Sequence, residues 1–133
     1  MPRPQSEHPT PAELEVLKVL WEDGPCTVRE VLGQLNSEGR RRAYTSIMSL
    51  MNVMVDKRLL KRKPHGRAYL YEPRAPREKT LGDLVGDLWQ RAFEGSATTL
   101  VTRLLEETQP TSAELEAIRE AIEQYEAERE EQP

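Results

Sequence analysis

Residues 40–71 decide the fold, and they read RRRAYTSIMSLMNVMVDKRLLKRKPHGRAYLY. Four apolar side chains recur at the i, i+3, i+4, i+7 spacing of a single helix face: Ile47, Leu50, Met51 and Met54. This spacing predicts a helix over about 45–57 with one buried stripe. Two short segments follow, residues 59–63 and 68–71, and the turn-forming residues 64–67 (PHGR) separate them. The pattern therefore predicts a helix followed by a two-stranded hairpin.

The chain before this stretch predicts two more helices. Thr10 to Glu13 and Thr27 to Glu30 each have the capping-box pattern, in which a threonine is followed three residues later by a glutamate. The first helix is expected over about 11–22, and the second is expected to end near Gly39. Three short helices followed by a hairpin is the order of a winged helix-turn-helix domain.

The chain after the hairpin predicts a different kind of region. Pro73 to Pro76 indicates a linker, so we expect a DNA-binding domain over 1–75 and a helical region over 76–133. Three amphipathic helices are expected there, ending near Phe93, near Glu107 and, with fraying from Glu126, at the terminus. Their apolar faces are too extensive to leave in water, so something must cover them; these faces include Leu81, Leu84, Val85, Leu88, Trp89, Leu100, Val101, Leu104, Leu115, Ile118 and Ile122.

The two regions carry opposite charge. Residues 40–74 contain ten Lys and Arg against two Asp and Glu, whereas residues 76–133 contain six against fourteen, and the whole chain has a net charge of -4. A concentrated positive segment is typical of a surface that binds a polyanion, and beside a helix-turn-helix the expected polyanion is double-stranded DNA.

The exposed face of the third helix is the predicted reading surface. Thr45, Ser46, Ser49 and Asn52 are short polar side chains that can reach base edges, and asparagine can pair with adenine. The alternative is an ordinary solvated helix face. The cations on either side of this helix predict phosphate contacts by Arg40, Arg41, Arg42, Lys57, Lys61, Arg62 and Lys63.

Two further side chains lie near the predicted hairpin tip. Arg67 can enter a minor groove or pair with a phosphate, and His65 either joins it or is simply solvated.

Other function classes find little support in the sequence. The chain lacks a glycine-rich phosphate loop, a nucleophile motif and cysteine or histidine clusters with metal-ligand spacing, so we expect no enzyme activity, no metal and no cofactor. A hydrolase with an acidic site would need two converging carboxylates, which no spacing enforces. Without a long apolar segment, and without an apolar signal-peptide core in residues 1–9, a cytoplasmic location with no membrane contact is expected.

Three motifs resemble the penicillinase-repressor family, the BlaI/MecI/CopY group of bacterial winged-helix repressors. They are TPAELEVLKVLW at 10–21, AYTSIMSL at 43–50 and GRAYLY at 66–71, and the resemblance extends over about 10–125. It implies a homodimer with a three-helix C-terminal dimerisation region that binds a short inverted repeat at a promoter. It also implies that Tyr44, Thr45, Ser46 and Ser49 are recognition-helix residues and that Arg67 is the wing arginine.

The chain departs from this family's pattern at three places. Val53 stands where relatives often carry arginine, and the Cys-x-Cys array of copper-responsive members is absent from the C-terminus. Members that control β-lactamase genes are cleaved, on a signal from a membrane sensor protease, at an Asn-Phe bond of the fifth helix. The matching bond here is Arg103-Leu104, so either cleavage at this bond or another route releases the repressor.

One further interpretation stays open at this point. A winged helix can also serve as a protein-interaction module, in which the acidic region contacts a partner and the basic segment is only a solvated surface.

Overall fold

The computed structural model describes residues 8–131, so most of the N-terminal segment examined for a signal peptide lies outside the described residues. The elements follow the predicted order of three helices, a hairpin and three more helices. Their bounds are α1 Pro11–Asp23, α2 Val28–Ser37, α3 Tyr44–Asp56, β1 Leu60–His65, β2 Ala68–Pro73, α4 Arg77–Ala92, α5 Ala97–Thr108 and α6 Ser112–Glu130. The fold is mainly helical with one small antiparallel sheet, which confirms the predicted winged helix followed by C-terminal helices.

Both predicted capping boxes are present. The Thr10 hydroxyl accepts from the Glu13 backbone N–H at 3.2 Å, and a Glu13 carboxylate oxygen accepts from the Thr10 N–H at 2.9 Å. Thr27 and Glu30 make the same reciprocal pair at 3.2 and 3.0 Å. These bonds satisfy N–H groups that have no partner within a helix, and they explain where α1 and α2 begin.

One hydrophobic core lies beneath the three N-terminal helices and the hairpin. Its centre consists of side chains that are almost fully buried: Val16, Leu20, Val31, Leu35, Ile47, Met51, Met54 and Leu60. The predicted stripe of α3 therefore faces this core, except that Leu50 is only half-buried at its edge. Burial of these side chains fixes the rotation of α3 about its axis.

The hairpin has longer strands and a tighter turn than predicted. Pro64 pairs with Tyr69 and His65 with Ala68, so the four-residue turn expected at 64–67 is a two-residue turn at Gly66 and Arg67. Gly66 adopts a φ of +64°, a conformation that costs glycine little. Pro64 is tolerated because each strand of a two-stranded sheet is an edge strand, where a missing N–H need not break a ladder.

Tyr71 connects the hairpin to the start of α2. Its backbone exchanges two hydrogen bonds with Cys26, at 2.8 and 3.1 Å, and both side chains are buried. Burial raises the pKa of the Cys26 thiol, with smaller contributions from Glu30 and Asp23, so the thiol stays protonated at neutral pH. Cys26 therefore acts as a small packing residue.

The C-terminal helices differ from the N-terminal ones in burial. The chain divides into two compact units between Gly86 and Asp87, inside α4, whereas the sequence pattern placed the change of role after residue 75. None of the described residues of α4, α5 and α6 is fully buried. The fraying expected from Glu126 is wrong as far as Glu130, because α6 continues with a bond from Gln124 to Glu128. Within residues 8–131, no helix is long and apolar enough to cross a membrane.

An ion pair joins α1 to the C-terminal end of α3. Lys57 Nζ lies 2.8 and 3.0 Å from the two carboxylate oxygens of Glu13. The Glu13 side chain is 2% exposed and that of Lys57 is 15% exposed. Removing one member of such a pair leaves a charge that water can hardly reach, which costs far more than losing a pair at the surface.

We expect Lys57→Met to lower the free energy of unfolding by about 3 kcal/mol, the low end for a buried pair that loses one partner. Lys61→Met is the matched control, since Lys61 pairs with Glu72 at 3.4 Å at the surface and should cost less than about 1 kcal/mol. Urea denaturation followed by circular dichroism measures both values. Equal stability losses in the two variants would contradict this role of the Glu13–Lys57 pair.

Candidate nucleic-acid interface

The outward face of α3 begins with four exposed side chains: Tyr44, Thr45, Ser46 and Ser49. Met48 and Asn52 follow at half-buried positions, and Val53 is exposed. The core stripe occupies the opposite side of the helix, so these side chains share the solvent-facing side. Their small size and their hydroxyl groups allow close approach to base edges in a major groove.

A groove of about 360 Å³ lies between α3, the hairpin and the beginning of α2. It brings together predicted site residues from separate elements: Tyr44 and Asn52 from α3, Arg62 from β1 and Arg67 from the turn. Tyr69 and Tyr71 of β2 also line it. The recognition helix and the wing therefore form one continuous surface, which we call the reading surface.

Arg29 also belongs to this surface and was not predicted from the sequence. Its guanidinium lies 5.1 Å from the centre of the Tyr44 ring, a cation–π arrangement, and it lines the same groove. Arg29 is the second residue of α2, far from the basic segment in sequence. The capping box at Thr27 was the available signal, because it marks the N-terminal turn of α2. In a helix-turn-helix, this turn of the first helix commonly approaches phosphates.

Three predicted phosphate contacts are free to bind. Within residues 8–131, no ion pair or side-chain hydrogen bond is found for Arg41, Lys63 or Arg67, and all three are exposed. Arg67 occupies the two-residue turn of the hairpin, and His65 is exposed at the end of β1. An unpaired exposed cation can bind a phosphate without first giving up another partner.

Three other predicted contacts have carboxylate partners at the surface. Glu15 of α1 lies 3.0 Å from Arg42 and 3.7 Å from Arg40, and Lys61 pairs with Glu72. The backbone N–H of Arg42 also donates to Asn36 at 3.0 Å, which fixes the connection between α2 and α3. Exposed pairs of this kind contribute little free energy, so these cations can exchange a carboxylate for a phosphate at small cost.

Lys57 occupies a different environment from the other predicted contacts. The sequence predicted a phosphate contact, but its ammonium group is held by the buried carboxylate of Glu13. Moving it to a phosphate would leave that carboxylate unpaired in the core. We therefore leave Lys57 out of the reading surface.

Asn52, predicted to read a base, has hydrogen-bond partners in the hairpin. Its side-chain oxygen accepts from Arg62 Nη1 at 2.7 Å and from the Tyr71 hydroxyl at 3.2 Å. A guanidinium can only donate, so the atom that faces it must be the carbonyl oxygen of the amide. Arg62 also lies over the ring of Tyr69, 4.5 Å from its centre.

The residues predicted to form a dimer surface lie on α4, α5 and α6, all half-buried or exposed. The exposed ones include Val85, Leu88, Val101, Leu104 and Ile122, the last two with 53% of their surface accessible. The candidate cleavage bond Arg103-Leu104 lies inside α5, where Arg103 pairs with Glu106 at 3.6 Å and Glu107 at 3.5 Å. No group of three or more His, Cys, Asp and Glu side chains in the described part of the chain is arranged to hold a metal ion.

Comparison with known proteins shows which family the chain belongs to. The family model described as "Penicillinase repressor" matches residues 9–124. The penicillinase repressor of Bacillus licheniformis is 24% identical over 114 residues, which cover 86% of this chain and 88% of that protein. The family match extends from the start of α1 into α6, and so includes both the winged helix and the C-terminal helices. The chain belongs to the penicillinase repressor family of transcriptional repressors.

Proposed function

We propose that the chain represses transcription as a homodimer whose two winged helices bind an inverted repeat in a promoter. The observation that carries this proposal is the reading surface: Tyr44 of α3, Arg29 of α2 and the wing arginine Arg67 line one groove, and the exposed Thr45, Ser46 and Ser49 follow Tyr44 on the solvent-facing side of α3. The short polar side chains on the exposed side of α3 suit base edges, and the cations nearby suit phosphates. Occupation of the promoter then excludes the transcription machinery.

The base-reading residues of this proposal are Thr45, Ser46 and Ser49, with Tyr44 beside them at the start of α3. Four cations bind phosphates without first giving up a carboxylate partner: Arg29, Arg41, Lys63 and Arg67. Three others exchange a carboxylate partner for a phosphate on binding: Arg40, Arg42 and Lys61. His65 lies next to the wing tip and contacts the sugar-phosphate backbone of the DNA, not a base.

The second subunit binds through the C-terminal helices. Their apolar side chains are exposed in the single chain, and a partner copy that buries them recovers roughly 25 cal/mol for each Å² removed from water. A homodimer also explains why a protein of this size would recognise a symmetric site.

Release from the operator follows from loss of the dimer. Cleavage of Arg103-Leu104 by a sensor-controlled protease would cut α5 in the middle of the dimer surface. Arg103 and Leu104 are exposed, but the bond lies within a regular helix, so the protease must first unwind α5 locally. The dimer is thus the element on which an inducing signal acts.

Binding to the chain's own upstream region should weaken steeply with salt. The seven phosphate-binding cations of each subunit, each neutralising one phosphate, give a slope of log K against log salt of about -13 for the dimer. A mobility-shift titration between low and moderate salt measures this slope, and nuclease protection shows whether the protected site is symmetric. A slope near zero, or equal affinity for random DNA, would refute the proposed function.

Removing a side chain from the reading surface should weaken operator binding and leave the dimer intact. We expect Arg67→Ala to reduce affinity about ten-fold, as for loss of a charge-assisted contact, and Ser49→Ala about five-fold. Lys18→Ala is the control, because Lys18 is an exposed cation of α1 outside the groove. Unchanged affinity in both reading-surface variants would show that this surface has been assigned wrongly.

A charge placed in the apolar face of α5 should dissociate the dimer. Leu104→Glu would bury a carboxylate against the partner subunit, at a cost of several kcal/mol, and we expect a monomer in sedimentation velocity. Thr102→Glu adds the same charge to the polar side of the same helix and should remain dimeric. The proposed dimer surface is wrong if Leu104→Glu sediments like the unmodified protein.

A further inference from the structure

The amide oxygen of Asn52 has no capacity left for a base. Reading adenine requires the oxygen to accept from the adenine amino group while the amide nitrogen donates to the ring. A carbonyl oxygen has two lone pairs, and here Arg62 and Tyr71 occupy both. To read a base, Asn52 would have to break a charge-assisted bond of 2.7 Å.

Both partners of Asn52 belong to the wing. Arg62 of β1 and Tyr71 of β2 are direct cross-strand neighbours, so the two strands converge on a single atom of α3. Tyr71 is 3% exposed and is bound through its backbone to Cys26 before α2. Arg62 also lies over the ring of Tyr69, which in turn meets Tyr71 edge to face at 6.5 Å.

The outer part of the wing has little else to hold it. From Lys61 to Tyr69 every residue is exposed, including Arg67 at the turn. An isolated two-stranded hairpin is marginally stable in water, so its position relative to α3 depends on the few contacts at its base. Among the described residues, the bond from Arg62 to Asn52 is the side-chain hydrogen bond that joins the exposed part of β1 to α3.

We propose that Asn52 is a positioning residue: it holds the wing against the recognition helix through Arg62 and Tyr71, and it does not read a base. This proposal rests on the proposed function, since it concerns how the reading surface is kept in shape for DNA. Asn52 keeps the arginines of the wing at a fixed distance from the base-reading residues of α3, and fixed placement reduces the ordering that binding would otherwise require.

Two single variants and their combination test this role in the full-length protein. Asn52→Ala removes the acceptor, and Arg62→Met removes the donor while keeping an apolar stem. We expect each to weaken binding about ten-fold, as for loss of a hydrogen bond to a charged group, and to do so for operator and random DNA alike. Since both changes break the same contact, the affinity of the double variant should be within about two-fold of that of whichever single variant binds more weakly.

The base preference supplies the second measurement. Each operator base pair is replaced in turn, and affinities are compared for the unmodified protein and for Asn52→Ala. A positioning role leaves the order of preferences unchanged. Loss of discrimination at one A·T pair, where direct readout is worth roughly 5- to 150-fold, would overturn the proposal.

Ser49→Ala combined with Arg62→Met is the matched control. Ser49 lies on the same face of α3, and no hydrogen bond joins it to the wing among the described residues. The loss of affinity in this double variant should equal the product of the losses from Ser49→Ala and Arg62→Met alone. The proposal would also be overturned if the losses of affinity from Asn52→Ala and Arg62→Met multiply, or if Asn52→Ala leaves the affinity unchanged. Absence of any base preference in the unmodified protein would instead refute the proposed function.

Discussion

The structure depends on the burial of one face of α3. Ile47, Met51 and Met54 are at most 2% exposed, and they anchor the helix in the core that α1, α2 and β1 complete. A helix cannot rotate without exposing such a stripe, because its side chains repeat every 3.6 residues. Packing on the inner side thus determines which side chains point outward, and those are the residues proposed to read DNA. Glu13 and Lys57 hold the end of the same helix against α1.

On the outer side of the domain, charged side chains form exposed pairs instead of a buried one. The carboxylates of Glu15 and Glu72 lie beside cations that would otherwise repel one another, and these pairs are exposed and weak. Such pairs reduce the repulsion among the cations of the free protein, and in the proposed DNA complex they give way to phosphates. In the proposed complex, the cations are thereby kept near the phosphates without a strongly bound partner that DNA would have to displace.

Much of this could be predicted from the sequence, and what could not depends on contacts between distant residues. The capping boxes and the helical spacing of α3 are local patterns, so the order of elements followed from them. Local pattern does not show which cation meets which carboxylate. Lys57 looks like its basic neighbours until Glu13, 44 residues away, is placed beside it. Neither Asn52 nor Arg62 shows in the sequence that the two side chains meet. Arg29 becomes part of the site only when α2 is packed against α3. The extended hairpin was missed because Pro64 suggests a turn, although an edge strand tolerates it.

The contrast between the two parts of the chain links folding to control. The winged helix has a closed core of its own, whereas α4, α5 and α6 contain no fully buried residue. Helices without a core are marginal in water and gain stability from packing their apolar faces against another surface. In the proposed dimer that surface is a second copy, so order in the C-terminal region depends on protein concentration by mass action. Two half-sites held together act with an effective concentration that neither has alone. Any event that disrupts α5 therefore weakens the operator complex at both half-sites, even though the reading surfaces themselves remain intact.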